Sequence, residues 1–170
     1  QEGALCARLP CYLGRGGGWL VVMAVNLVRS GGGGFFLDDH KGLLGRMAAD
    51  PKRKILLGVS YALLDLAEGF APKLTDTVVM ETGGMKGRRA ELPKEEFHAI
   101  LCRAFGVEKI HSEYGMAELT SESYSDGDGS FRTLARTRVR WRDFNGPFQT
   151  LGCVGGGGVN SIGLAAHRPF

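Results

Sequence analysis

Thr77-Val78-Val79-Met80-Glu81-Thr82-Gly83-Gly84-Met85-Lys86-Gly87 runs from a short apolar segment directly into a glycine turn. An apolar run bounded by turn residues predicts a buried strand over 77–80, and the glycines predict the loop that leaves its carboxyl end. Upstream, Lys54-Ile55-Leu56-Leu57-Gly58-Val59 has the same character. It is followed by a helical pattern over 61–70 that sets Leu63, Leu64 and Ala67 at core spacing. A further helix over 40–49 stops before Pro51, because the residue preceding a proline is pushed out of the helical region. Downstream, Pro93 opens a helix with Glu95 and Glu96 in its first turn, and Gly106 closes it. Phe97, Ile100, Leu101, Ala104 and Phe105 form the apolar stripe of that helix, and residues 107–110 begin another strand.

Strand, helix, strand, helix, strand with short links predicts an α/β fold with a mostly parallel sheet flanked by helices. The expected core spans 35–125. Before it, residues 1–34 read as irregular and glycine-rich, with one apolar segment over 19–28 that periodicity leaves open between strand and buried helix. After it, the Asp126-Gly127-Asp128-Gly129 turn, a strand over 136–144, the Asn145-Gly146-Pro147 turn and a strand over 159–164 predict an antiparallel β extension over 126–170. The whole reads as a single partial domain.

Composition narrows the class. With 44% hydrophobic and 23% charged residues, a chain of 170 is globular and long enough for a real core. A net charge of +3 is too mild to argue for nucleic acid. Glycine is the anomaly, at 27 of 170 residues, more than twice the usual share of about 7%. Cys6, Cys11, Cys102 and Cys153 form no C-x-x-C pair, so reduced thiols in a cytoplasmic protein are expected. Residues 19–28 are too few to span a bilayer, and no membrane span is expected. Gln1 is not an initiator methionine, so a fragment of a longer chain is expected, with processing as the alternative.

Two loops carry candidate chemistry, and both fall at carboxyl ends of strands, where ligands bind in parallel sheets. His111-Ser112-Glu113-Tyr114-Gly115-Met116-Ala117-Glu118 supplies an aromatic ring, a bare backbone and a carboxylate. That combination suits ATP: Tyr114 packs on the purine, Gly115 permits close approach, and Glu118 holds Mg²⁺ between phosphate oxygens. One carboxylate suffices for Mg²⁺ when phosphates supply the remaining oxygens. The Gly83-Gly84-Met85 loop could contribute backbone contacts from the other side. A purely structural glycine turn, a core Tyr114 and a solvated Glu118 remain the plainer alternatives.

Other patterns carry less. Asp126, Asp128 and Ser130 mimic the start of a calcium loop, but Thr137 stands where a bidentate glutamate is required. Arg136, Arg138, Arg140 and Arg142 give a basic strand face, better explained as a solvated edge than as a nucleic-acid surface. No G-x-S-x-G elbow accompanies His111-Ser112-Glu113, which argues against a hydrolase. His98 is expected near the surface, and Cys102 is expected to be a packing residue.

The segments 79–89 and 110–119, with 56–65 and 139–148, resemble the acyl-protein synthetase family. These are the fatty-acid-activating components of the bacterial bioluminescence fatty acid reductase, similar in turn to phenylacetate–CoA ligases and the wider adenylate-forming superfamily. The resemblance covers about residues 35–150. It implies a ligase of the adenylate-forming class that uses ATP to activate a carboxylic acid, of long-chain fatty type, as an acyl-adenylate. The acyl group then passes to a thiol, either a protein cysteine or coenzyme A, and a reductase subunit is the implied partner. Carried over by position, Tyr114 stacks on adenine, the Gly83-Gly84-Met85 backbone borders it, and Glu118 binds Mg²⁺ in the catalytic centre.

The sequence departs from the family at three places. Ala117 replaces the Thr or Ser that relatives carry before the glutamate, losing a hydroxyl contact to charged phosphate worth roughly 1.5–3 kcal/mol. No Ser/Thr/Gly-rich phosphate loop is present, and Gly163 stands where an aspartate is expected. These departures keep a second expectation in play: an inactive α/β module that binds a nucleotide or a partner without chemistry.

Overall fold

The computed structural model describes residues 3–9, 19–115, 122–127, 129–132, 137–142, 150–151 and 158–163. The chain divides into two compact units, Gln1–Glu113 with Ser125–Ser130, and Tyr114–Tyr124 with Phe131–Phe170.

The first unit is a parallel sheet with helical crossovers. In chain order it runs β1 (Ala4–Arg8), α1 (Trp19–Gly31), β2 (Gly33–Phe35), α2 (His40–Ala49), β3 (Lys54–Val59), α3 (Ser60–Phe70), β4 (Thr77–Thr82), α4 (Lys94–Phe105) and β5 (Ile110–Tyr114). The strands lie in the order β2-β1-β3-β4-β5, each parallel to its neighbour. Leu56, Leu57 and Val59 of β3 are buried against Leu63, Leu66 and Ala67 of α3 and Phe97, Leu101 and Phe105 of α4 in one core. Strands covered on both faces bury nearly every residue, hence the unbroken apolar runs in their sequence.

Helix ends follow local chemistry. Asp39 caps α2 by accepting the Gly42 N–H at 2.9 Å. Pro93 precedes α4, Glu95 and Glu96 sit in its first turn, and Gly106 ends it in the left-handed region.

Within the stretch over 1–34 expected to be irregular, the described residues are regular: Ala4–Arg8 is an interior strand with all five residues buried, and Gly33–Phe35 is a strand. The apolar segment left open between strand and helix is the helix Trp19–Gly31. Part of the glycine run is a packing requirement rather than a flexible loop. A Cβ on Gly33 would lie 1.9 Å from the Leu5 carbonyl oxygen, so only glycine lets β2 lie against β1 at that point. The strand was hidden because Arg8 interrupts its apolar run. Two boundaries also move: β4 extends through Glu81 and Thr82, and β5 starts at Ile110 rather than 107.

Of the second unit, β8 (Thr137–Arg142), β9 (Thr150–Leu151) and β10 (Gly158–Gly163) follow the short strands β6 (Ser123–Ser125) and β7 (Phe131–Arg132) in sequence. They form an antiparallel sheet in the order β10-β8-β9, which is the expected C-terminal β extension. The side chains of the arginine-rich face on β8 lie outside the described set, as do Asp128 and Arg136. Among the described residues no helix is long and apolar enough to cross a membrane.

Candidate functional site

From β1 the chain passes to β2 on one side and later to β3 on the other. The sheet therefore has its topological switch point between β1 and β3, the place where open α/β sheets hold ligands beyond their strand ends. Arg8 ends β1 and Ser60 directly follows β3.

Strand register aligns Arg8 with Gly58, Gly58 with Glu81, and Glu81 with Ser112. Side chains in register on a parallel sheet share a face. Arg8 and Glu81 thus reach the same helix from two sides. Arg8 Nε donates to the Ala62 carbonyl in the first turn of α3 at 2.9 Å, and its Nη1 donates to the Leu37 carbonyl at 2.8 Å. Burial pulls the Arg8 pKa below its ordinary value, opposed by the fields of Asp38, Asp65 and Tyr61.

Glu81 is the electrostatic centre of this edge. Its Oε2 accepts the Ser60 hydroxyl at 2.8 Å, and its Oε1 meets the Lys94 ammonium at 3.1 Å. His98 Nε2 stands 3.8 Å from the same Oε1, inside ion-pair range but too far for a hydrogen bond. Burial alone would raise the pKa of this carboxyl. The side chains of His98, Ser112 and Ser60 and the charge of Lys94 outweigh burial and bring it down to about 2. Glu81 is therefore a buried anion near neutral pH.

The glycine turn hangs from this group. Gly84 N–H donates to Ser60 Oγ at 3.1 Å. Gly83 and Gly84 have φ of +78° and +68°, where side chains are disfavoured, and both are exposed. Nothing lies within 4 Å of the position a Gly84 Cβ would take, so the turn borders open space. The Met85 side chain, by contrast, is buried in the core and anchors the turn from below. Beyond it, Arg88 lies 5.0 Å from the centre of the Tyr61 ring, and Arg89 pairs with Asp65 and Glu68 of α3.

A second buried carboxylate, Glu113, lies one residue before the end of the neighbouring strand. Thr82 Oγ1 donates to Glu113 Oε2 at 2.5 Å. His111 Nδ1 lies 2.9 Å from the Ser125 carbonyl, which can only accept, so Nδ1 carries the proton. His111 is thus engaged with backbone and does not orient Ser112 as a base would.

In the second unit, the Tyr114 ring is 43% exposed and meets Phe131 edge-on at 6.1 Å. It is not a core aromatic. Gly115 is also exposed. Met116, Ala117 and Glu118, including the expected Mg²⁺ ligand, lie outside the described residues. Among the described residues, no group of three or more His, Cys, Asp or Glu side chains is placed to hold a metal ion.

Sequence reasoning missed the polar cluster beneath the turn. Ser60, Glu81, Thr82, Ser112 and Glu113 are all at least nine-tenths buried. His98 was expected near the surface, yet its side chain is only 14% exposed and faces Glu81. The available signal was a carboxylate or hydroxyl within one residue of a strand's carboxyl end, at 60, 81 and 113.

Three solved structures match the chain over 96% of its length. One is ATP-bound MatB from Rhodopseudomonas palustris, at 19% identity and a TM-score of 0.66. The others are the ATP-bound RpMatB–BxBclM chimeras B1 and B3, each at 18% identity, with TM-scores of 0.67 and 0.68. The chain spans 32% of the length of each. The likeness is one of fold alone: a mostly parallel sheet flanked by helices with C-terminal antiparallel strands. No protein-family model matches the chain, and neither does any curated protein.

Proposed function

We propose that this chain is the nucleotide-binding part of an adenylate-forming acid–thiol ligase of acyl-protein synthetase type. The observation that carries this reading is the fold likeness to three ATP-bound structures over 96% of the chain. Two local features support it. The Gly83-Gly84 turn offers bare backbone to open space, and the Tyr114 ring is exposed enough to take a base.

In this reading, ATP is the substrate that supplies an adenylyl group to the acid carboxylate, releasing pyrophosphate, and a thiol then displaces AMP. Tyr114 stacks on adenine, with Gly115 allowing close approach. The backbone of Gly83, Gly84 and Met85 borders the base. Glu118 holds Mg²⁺ together with the phosphates, which is how this ion is usually bound. The acid is of long-chain fatty type, the acceptor is a protein cysteine or coenzyme A, and a reductase subunit is the partner that would consume the product.

ATP–pyrophosphate exchange with short, long-chain and aryl acids tests the proposal. Exchange with a long-chain acid that is lost in Glu118→Ala and kept in Cys102→Ala is the expected result. Nucleotide binding without exchange for any acid would favour a second reading, a nucleotide- or partner-binding α/β module without chemistry. That reading is favoured by Ala117, which stands where relatives in the resembled family carry a hydroxyl before the glutamate. Absence of ATP binding would reject the ligase and leave only a partner-binding module.

A further inference from the structure

We infer that Ser60 is a positioning residue, whose hydroxyl couples the Gly84 amide to the buried Glu81 carboxylate and holds the glycine turn in its nucleotide-receiving shape. The inference rests on the functional reading above for the identity of the ligand, and on geometry for the coupling itself.

A serine hydroxyl has one proton and two lone pairs. The Ser60 proton points to Glu81 Oε2 at 2.8 Å, a charge-assisted bond, rather than to the Thr82 carbonyl at 3.4 Å. The oxygen is then left to accept the Gly84 N–H at 3.1 Å. Ser60 is only 3% exposed, so water does not readily stand in for it. Directed at a carboxylate and sealed from solvent, this hydroxyl is not a nucleophile.

The turn needs such a hold. Two consecutive glycines lose more backbone entropy on ordering than any other pair, and no side chain packs over Gly84. The Met85 anchor restrains it on one side and Ser60 on the other. Glu81 is fixed in turn by Lys94 at 3.1 Å and faced by His98 at 3.8 Å. A continuous chain of contacts thus leads from α4 through Glu81 and Ser60 to the Gly84 backbone.

The test compares the wild-type 170-residue chain with Ser60→Ala and Ser60→Thr, by residue-resolved amide exchange and by calorimetric titration with ATP. In Ser60→Ala the Gly84 amide should exchange about tenfold faster and the ATP Kd should rise by up to about tenfold, the scale of one hydrogen bond. Amides of β3 and β4 should be unchanged, and Ser60→Thr should restore both readouts. Unaltered Gly84 exchange in Ser60→Ala overturns the inference, as does faster exchange with unchanged ATP affinity. A wild-type Gly84 amide exchanging as fast as an unstructured peptide overturns it without any variant. Failure of the wild type to bind ATP overturns the functional reading, while Gly84 exchange still decides the hydroxyl's hold on the turn.

Discussion

Thr82 Oγ1 donates to Glu113 Oε2 at 2.5 Å, joining the last residue of β4 to a buried carboxylate on β5. The residues that follow each of these two are the candidate loops, so one side-chain bond links the strand ends from which both loops depart.

Thr82→Val keeps the shape of the side chain and removes the donor, leaving a buried carboxylate short of one partner. The cost of such a loss is about 1–3 kcal/mol. Urea unfolding should show a lower midpoint with unchanged slope; an unchanged midpoint would mean the bond contributes nothing.

Glu81 sets an acid limit to stability. Its folded pKa of about 2 lies below the ordinary 4.5, so its contribution is fully present above about pH 4.5 and is lost as pH falls towards 2. At about 1.4 kcal/mol per unit, the depression corresponds to roughly 3 kcal/mol. Glu81→Gln should flatten the stability curve across that window. Parallel curves for wild type and variant, followed by denaturant midpoint against pH, would disprove the assignment.

Arg8 spans two carbonyls, those of Leu37 and Ala62. Arg8→Leu should destabilise the chain by about 2 kcal/mol, because the buried Ala62 carbonyl and the part-buried Leu37 carbonyl each lose a charged donor. Arg8→Lys should not rescue it, since a single ammonium lacks the guanidinium fork that reaches in two directions. Thermal melts of the three proteins decide; a lysine variant as stable as the wild type would refute the two-carbonyl account.

Nucleotide stacking on Tyr114 separates ring from hydroxyl. Tyr114→Phe should retain ATP affinity, whereas Tyr114→Ala should weaken it by about 1–3 kcal/mol, the usual worth of base–aromatic stacking. Equal affinity of the alanine variant would remove Tyr114 from the site.

Legibility in the sequence varied with the origin of each signal. Lys54–Val59, His40–Ala49 and the Pro93-to-Gly106 helix were readable because each carries its own periodicity and its own stop residue. Ala4–Arg8 was not, since a five-residue strand ending in arginine looks like a loop until its neighbours cover it. The Gly83-Gly84 turn was visible as composition, yet what holds it was not. Ser60 is 24 residues away from Gly84, and only the sheet brings them together.

The order of strands and helices, their apolar faces and the positions of the two loops were determined by local residue pattern, because hydrophobic spacing and turn chemistry act over a few residues. The interior place of β1, the ionised state of buried Glu81 and the path from Lys94 to the Gly84 amide were decided only by tertiary structure. Desolvation and the partners that offset it depend on what packs around a group, and packing joins residues that the chain keeps far apart.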